Sequence, residues 1–113
     1  MKTNNKFTII IVFKVLEGKE NEFINYWTEL TKLIYKFAGS NGSRLHIADK
    51  QLYIAYAQWA DKETWQHSSD KLPETAIEFR KKMRECCSEI KTEYEMNVIQ
   101  DLLNDKTYNE TEK

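Results

Sequence analysis

The side chains that could do chemistry are concentrated between Gly42 and Trp65. His46 can move a proton near neutral pH, and Arg44 can bind an anion through its guanidinium group. Aromatic side chains that can surround a planar ligand lie in the same segment, namely Tyr53, Tyr56, Trp59 and Trp65. A segment this rich in polar and aromatic groups predicts a ligand pocket close to it.

The elements that would hold this segment follow from hydrophobic periodicity. Alternation predicts a strand over residues 7–15 that is apolar on both faces, and apolar spacings of three and four predict a helix over residues 19–37. The other predicted elements are strands over residues 42–48 and 51–59, a short helix from the N-cap Asp61 through Ser68, a helix from Pro73 to about Ile90, and a strand over residues 94–102.

This order, β-α-β-β-α-β, predicts an α+β, ferredoxin-like fold with a four-stranded antiparallel sheet and two helices on one face. Residues 1–103 would form the single domain, and residues 104–113 a polar C-terminal tail. Because the first strand is apolar on both faces and the helices cover one, the other face requires a partner. The simplest partner is the same face of a second copy, which predicts a homodimer.

Composition and charge exclude several classes of protein. The 17 Lys and Arg residues nearly balance the 18 Asp and Glu residues, so we expect no nucleic-acid or membrane partner. The N-terminal apolar run is short, interrupted by Lys14 and without a cleavage site, which favours a strand over a signal peptide and predicts a cytoplasmic protein. Cys86 and Cys87 are adjacent on a predicted helix, where a disulfide between them would be strained. We therefore expect both to be free thiols.

Four short motifs resemble the antibiotic biosynthesis monooxygenase family. They are GSRLH in the second strand, YIAYAQW in the third, DKETW at the start of the short helix, and EGKENEF leading into a first helix that carries Trp27. The resemblance covers roughly residues 6–102 and implies a dimeric α/β barrel. Members of this family include oxygenases that oxidise polyketides without metal or flavin, haem-degrading enzymes, and proteins with no assigned reaction.

The resemblance implies a monooxygenase that uses no cofactor and acts on a small aromatic or quinol-like molecule. Triplet oxygen reacts slowly with closed-shell molecules, so the protein must favour an electron-rich substrate anion and keep it dry. His67 would then be the catalytic base, and Trp59 would line the pocket beside the reacting atoms. Trp27, Tyr56 and Phe79 would form the walls of a cleft between sheet and helices.

The other polar side chains of the hairpin are expected on the dimer face. Arg44 and His46 share one face of their strand, and a two-residue turn at Asp49 and Lys50 would place Tyr53 opposite His46. Strand parity alone would put Trp59 on that face too, and only its position at the strand end argues for the cleft. Haem-degrading relatives typically use an asparagine on the first strand, where this chain has residues 9–12, IIIV, so haem is disfavoured.

Each of these residues also has a purely structural interpretation. Trp27 lies on the core stripe of its helix, Trp65 can anchor the short helix, and His67 can be an exposed histidine without a role. The alternative function is a non-catalytic dimeric binding or sensing domain whose cleft is filled by its own aromatic side chains. An open cleft of a few hundred Å³ would favour the enzyme, and a closed one would favour the alternative.

Overall fold

The computed structural model describes residues 6–103, and the predicted tail of residues 104–113 lies outside them. Four strands form one antiparallel sheet in the order β2-β3-β1-β4. The elements in chain order are β1 Phe7–Val15, α1 Glu20–Phe37, β2 Ser40–Asp49, β3 Leu52–Trp59, α2 Lys62–Gln66, a 3-10 helix Ser68–Lys71, α3 Glu74–Glu85 and β4 Cys87–Asn97. The predicted α+β, ferredoxin-like fold is confirmed.

The core lies between the sheet and the helices α1 and α3. Phe7, Ile9 and Phe13 alternate along β1 and are each 2% exposed, because every second side chain of a strand points to the same face. Phe23 of α1 is fully buried, and its ring centroid lies 5.0 Å from that of Phe13. Phe23 also lies 5.2 Å from the ring of Tyr53, which joins α1 to both central strands.

The C-terminal third differs from the prediction. The prediction of a helix that runs to Ile90 is wrong, because α3 ends at Glu85. The strand predicted over residues 94–102 is observed as Cys87–Asn97, so it begins seven residues earlier than predicted. Ile90 pairs with Phe13 in the sheet, so strand pairing along β1 outweighs the helical spacing of the apolar residues. Cys86 is the C-cap residue of α3, and Cys87 is the first residue of β4. The prediction that both thiols lie on a helix is therefore wrong.

The β2–β3 hairpin also has a different register from the predicted one. Ile47 pairs with Tyr53 and His46 pairs with Ile54, because an irregularity at Ala48 adds a residue to the β2 side. A shift of one residue moves a side chain to the opposite face of the sheet. The prediction of Tyr53 on the dimer face is therefore wrong: Tyr53 faces the helices and is only 6% exposed.

The sheet has an outer face that neither α1 nor α3 covers. Ile10, Val12, Ile54 and Tyr56 lie on it in the two central strands, all partly exposed. In β4 a register shift between Ile10 and Ile11 leaves Glu93 without a pairing partner on β1. Tyr94 pairs with Ile10 and therefore lies on the outer face as well. Among residues 6–103, no helix is long and apolar enough to cross a membrane.

The cap of α2 gives a prediction about pH. The Asp61 carboxylate accepts hydrogen bonds from the Thr64 hydroxyl and backbone N–H, which lower the pKa of Asp61 below its usual value. Since the folded pKa is the lower one, the charged cap stabilises the protein above the ordinary pKa, and this contribution is lost as pH falls through the folded value. Asp61→Asn should therefore melt at a lower temperature than wild type at pH 6, and the difference should shrink towards pH 2.5.

Thermal unfolding followed by circular dichroism at several pH values measures this difference. Other carboxylates titrate in both proteins and cancel in the comparison. A gap in melting temperature that is the same at pH 6 and pH 2.5 would contradict the role of the Asp61 charge.

Candidate functional site

A cleft of about 510 Å³ lies between the helix-facing side of the sheet and the helices. Its lining comes from all four strands, from α1 and α3, and from the segment that contains α2 and the 3-10 helix. All three tryptophans of the chain line it: Trp27, Trp59 and Trp65. A cavity of this size with an aromatic lining can enclose a molecule of two or three fused rings.

Trp59, which lines the cleft, carries a buried polar atom without a partner in the part of the chain that the structure describes. It ends β3, pairs with Phe7 of β1, and is 4% exposed. Its indole nitrogen Nε1 is buried, and no acceptor among residues 6–103 reaches it. An unpaired buried donor costs about 1–3 kcal/mol, so an acceptor atom that reached this N–H would recover that energy.

Trp65 and Trp27 complete the aromatic lining. Trp65 of α2 lies tilted against Phe7, with 5.5 Å between the ring centroids, and the Asp61 cap fixes the helix that carries it. Trp27 extends from α1 and packs against the main core cluster. Both are half-buried, so their rings support the core with one part and line the cleft with another.

Among residues 6–103, three charged side chains line the cleft, and the sequence analysis predicted none of them. Arg80 and Arg84 come from α3, and Glu95 comes from β4. Glu95 lies 3.2 Å from the ammonium group of Lys62, whereas Arg80 donates a hydrogen bond of 3.1 Å to the Ser69 hydroxyl. The cleft therefore combines an apolar interior with cationic groups on its helical side.

Two of the predicted wall residues do not line the cleft. Tyr56 lies on the outer face of the sheet, paired with Arg44 and Ile10, so its predicted place between sheet and helices is wrong. Phe79 packs towards Tyr26 of α1, with ring centroids 6.4 Å apart, and contributes to the core. Trp27 and Trp59 do line the cleft, and their roles with a ligand stay predictions.

His67 does not reach the cleft either. It caps the end of α2 with its side chain 62% exposed, and its Nδ1 lies 3.7 Å from the Asp70 carboxylate. Its chain neighbours Gln66 and Ser68 line the cleft, whereas His67 does not. Its predicted role as catalytic base stays a prediction that this conformation does not favour.

Arg44 and His46 lie on the outer face of the sheet, and their predicted role at a dimer interface stays a prediction. They line a groove of about 620 Å³ together with Tyr56 and Gln58. The Nδ1 atom of His46 is 3.1 Å from the backbone oxygen of Ile54, its partner in the neighbouring strand. Although this groove has a larger volume than the cleft, it borders one sheet face only, so the cleft is the stronger candidate for an enclosed ligand.

Comparison with protein-family models matches residues 6–71 to the antibiotic biosynthesis monooxygenases. This match covers more than half of the 113 residues. The chain belongs to this family. A comparison with curated proteins finds no significant match.

Solved structures of other proteins share the fold of this family member. SnoaB, a cofactor-independent oxygenase from Streptomyces nogalater, has 17% sequence identity and a TM-score of 0.70, covering 88% of this chain and 99% of its own. A candidate antibiotic biosynthesis monooxygenase from Nitrosomonas europaea has 10% identity and a TM-score of 0.72, over 88% and 95% of the two chains. Another candidate, from Bordetella bronchiseptica, has 21% identity and a TM-score of 0.67, over 85% and 99%.

Haem, which the resemblance associates with some members of the family, does not fit this cleft. A haem iron needs an axial ligand such as histidine. The chain has two histidines; His46 lies on the outer face and His67 points to solvent. Residues 9–12 of β1 are all aliphatic, so they do not supply the asparagine that the resemblance associates with haem-degrading members. Within residues 6–103, no three His, Cys, Asp or Glu side chains cluster as a metal site would require.

The two cysteines do not supply a nucleophile. Burial, with a smaller effect from Glu22, raises the pKa of Cys86, and burial together with Cys86 raises the pKa of Cys87 to about 11. Both thiols are therefore protonated at neutral pH, and a protonated thiol is a poor nucleophile. Neither residue lines the cleft.

Proposed function

We propose that this member of the antibiotic biosynthesis monooxygenase family oxidises a small aromatic or quinol-like molecule in the sheet–helix cleft, with dioxygen and without a metal or flavin. The observation that carries the proposal is an open cleft of about 510 Å³ lined by three tryptophans, one of which has an unpaired buried N–H. The fold shared with SnoaB, a cofactor-independent oxygenase, supports the same class of reaction.

The proposed chemistry needs no reactant besides substrate and dioxygen. An anthrone-like substrate loses a proton from its ring CH2 group, and the resulting anion passes one electron to oxygen. The radical pair combines to form a C–O bond, and the hydroperoxide loses water to leave a ketone, so that CH2 and O2 become C=O and H2O. The indole N–H of Trp59 is closed off from solvent in this conformation. If a small side-chain movement opens it onto the cleft, it would stabilise the negative oxygen of the substrate anion, as a donor in an oxyanion hole does.

The proton acceptor is the least defined part of this scheme. Of the residues that the structure describes, Glu95 is the carboxylate that lines the cleft, and its ion pair with Lys62 holds it in place. His67, the base expected from the sequence, would have to turn inward from its exposed position. We therefore propose Glu95 as the acceptor in the conformation described here.

Oxygen consumption tests the proposal directly. Anthrone and 1,4-naphthohydroquinone serve as substrates in an oxygen electrode, and the absorbance of the quinone product is followed in parallel. We expect oxygen uptake well above the spontaneous rate, with one ketone formed per O2 from anthrone. Rates equal to those with heat-denatured protein for both substrates would overturn the oxygenase proposal. A titration with haemin is the companion test, and we expect no shift of its Soret band.

The absence of histidine from the cleft favours a second candidate function. A cleft without a group that titrates near neutral pH in its free form can bind a ligand more readily than it can move the ligand's protons. The alternative is therefore a dimeric binding or sensing domain. Saturable binding of an aromatic ligand with no turnover of either substrate would select this alternative.

We also propose that the protein is a homodimer whose two outer sheet faces pack together. The support is the row of apolar side chains on that face, with no helix above it, and the 58% exposure of Tyr94 beside it. Apolar surface of this kind on a soluble domain marks an interface. The cysteines are free thiols, which fits the reducing cytoplasm that we propose as its location.

A further inference from the structure

The outer face of the sheet carries a cluster of polar side chains on the β2–β3 hairpin. Arg44 of β2 pairs with Tyr56 of β3, His46 lies two residues further along β2, and Gln58 lies two residues beyond Tyr56. These four side chains line the groove of about 620 Å³ on this face, which we call the outer groove. Among residues 6–103, no aspartate or glutamate lines it, so Arg44 makes the groove positively charged.

The guanidinium group of Arg44 is available to a ligand. Its side chain is exposed, and within residues 6–103 every ion pair uses lysine or histidine as the cation. A guanidinium group presents its N–H donors as a planar fork that binds two oxygens of one anion. Arg44 can therefore hold two oxygens of an anion in the outer groove.

His46 adds a second polar atom beside this fork. Its Nδ1 lies 3.1 Å from the backbone oxygen of Ile54. Since a carbonyl oxygen only accepts, Nδ1 carries a proton and Nε2 is left for a ligand. Besides Arg44, the row of paired residues that contains His46 carries Lys91 at the far edge of the sheet, and the Lys91 ammonium lies 3.6 Å from the Glu93 carboxylate.

Tyr56 and Gln58 complete the groove. The Tyr56 hydroxyl donates a hydrogen bond of 3.3 Å to Oε1 of Gln58, which leaves the amide N–H groups of Gln58 as donors for a ligand. The ring of Tyr56, with Ile10 and Leu103, gives the groove an apolar border. The outer groove therefore offers converging donors and a small apolar surface next to them.

On these observations we propose that the outer groove binds a small phosphate monoester, with the phosphate held by Arg44 and His46 and the organic part against Tyr56. A carboxylate has two oxygens, and the fork of Arg44 would use both. A phosphate has three terminal oxygens, so the third can reach Nε2 of His46. A phosphate ester loses its second proton near pH 6, in the range where an imidazole titrates, so one proton can be held between this oxygen and Nε2.

This site is independent of the cleft and of the proposed oxidation. The outer groove lies on the opposite face of the sheet from the three tryptophans of the cleft. Its two charged or titratable anchors come from β2, which is an edge strand of the sheet. The groove therefore extends to the margin of the outer face, where it can stay open beside a second copy packed on the central strands.

Three probes test the class of anion. Phenyl phosphate and benzoate carry the same ring and differ in the anionic group, and inorganic phosphate lacks the ring. Calorimetry near neutral pH and at fixed ionic strength gives the dissociation constants. We expect wild type to bind phenyl phosphate at least about 10-fold more tightly than either of the others, because benzoate loses one charge-assisted contact and inorganic phosphate loses the apolar one.

Nuclear magnetic resonance of the two imidazole rings locates the bound phosphate. The His46 ring signals should shift with phenyl phosphate and saturate at the concentrations that calorimetry gives. His67, whose side chain is 62% exposed at the end of α2, serves as the internal reference, and its signals should stay unchanged. His46→Phe removes one set of signals and so assigns the other.

Variants assign the binding to named side chains. Arg44→Gln should weaken the binding of phenyl phosphate at least about 10-fold, and Arg44→Lys, which keeps the charge and loses the fork, should be intermediate. His46→Phe should lose the preference for phenyl phosphate over benzoate. Arg80→Gln removes a guanidinium group from the cleft instead and should bind as wild type does. Circular dichroism verifies that each variant is folded.

Each outcome bears on the proposal. No saturable binding of phenyl phosphate by wild type, equal affinity for benzoate, or unchanged affinity in Arg44→Gln and His46→Phe would overturn it. Loss of binding in Arg80→Gln would locate the anion in the cleft and would also overturn it, and equal affinity for inorganic phosphate would overturn the choice of an ester. Binding of phenyl phosphate at His46 without oxygen uptake by the substrates of the cleft would uphold the outer groove and overturn the oxygenase proposal alone.

Discussion

Replacing Trp59 with phenylalanine is expected to lower the turnover rate with anthrone about 100-fold while the protein stays folded. The reason is that phenylalanine keeps an aromatic ring in the cleft and removes the one indole N–H that is buried without an acceptor among residues 6–103. Loss of a single donor to a developing oxyanion lowers rates by about 100- to 1000-fold in other enzymes. Because this negative charge develops during the reaction, the loss should fall on kcat more than on KM.

Trp59→Phe should change the stability of the protein less than the burial of Trp59 alone suggests. Shortening a buried tryptophan leaves a cavity, which destabilises, but removing an unpaired buried N–H removes a penalty of about 1–3 kcal/mol. We therefore expect Trp59→Phe to change the free energy of unfolding by less than about 2 kcal/mol, measured by urea titration. Trp59→Ala removes the ring as well and should cost about 3–5 kcal/mol.

Trp65→Phe is the matched control for this prediction. Trp65 lines the same cleft, and its indole N–H is not left buried without an acceptor. The same change of size at this position should lower kcat by less than about 10-fold. Equal rates for wild type and Trp59→Phe, or equal losses in Trp59→Phe and Trp65→Phe, would show that the Trp59 N–H has no special part in the reaction.

The sequence predicted the N-terminal half of the fold closely, for a physical reason. Residues 7–15 are a short run rich in β-branched and aromatic residues, and residues 19–37 have a single apolar period of 3.6. The observed β1 and α1 agree with these predictions to within one residue. Around Cys86 the periods overlap. The spacing Met83, Cys86, Ile90 fits a helix, while Ile90 and Thr92 alternate as in a strand, and only pairing with the central strand β1 decides between them.

The errors in the hairpin have one source. Asp49 and Lys50 lack the glycine that would fix a tight turn, and the chain instead adds a residue at Ala48. This single shift exchanges the faces expected for Tyr53 and Tyr56. With the observed register, Trp59 faces the helices by strand parity itself, so its place in the cleft needs no special argument from its position at the strand end.

The charged part of the cleft could have been recognised from sequence. Arg80 lies four residues after Ala76 and three before Met83, both buried in α3, so it interrupts the buried stripe of its own helix. A charged residue at such a position indicates either an ion pair or a ligand. Arg84 and Glu95 offered no comparable pattern, because their approach to the cleft depends on the position of α3 and on the bulge in β4.

Introducing a charge in the middle of the outer face, with Val12→Asp, is expected to convert the proposed dimer to a monomer. Val12 lies on the central strand β1, paired with Ile54 on one side and Lys91 on the other. In a single copy its side chain is partly exposed, so an aspartate there remains hydrated and the fold should persist. In a dimer formed by two outer faces, the same carboxylate would be buried.

The expected effect is large because of symmetry. A buried charge without a partner costs about 3 kcal/mol or more, and a two-fold interface contains the substitution twice. A total of about 6 kcal/mol corresponds to roughly a 10⁴-fold weaker association. Light scattering at micromolar concentration should therefore give twice 13.5 kDa for wild type and 13.5 kDa for Val12→Asp.

Tyr35→Asp provides the control on the helical side of the molecule. Tyr35 is 61% exposed on α1, away from the outer face, so this variant should remain dimeric. Ile54→Glu, on the neighbouring strand of the outer face, should reproduce the effect of Val12→Asp, because both side chains lie in the proposed interface. A monomeric wild type, or a dimer that survives both outer-face substitutions, would reject this arrangement. If Val12→Asp is a folded monomer, its oxygen consumption then shows whether the cleft works within one chain, since every residue proposed for the reaction comes from the same copy.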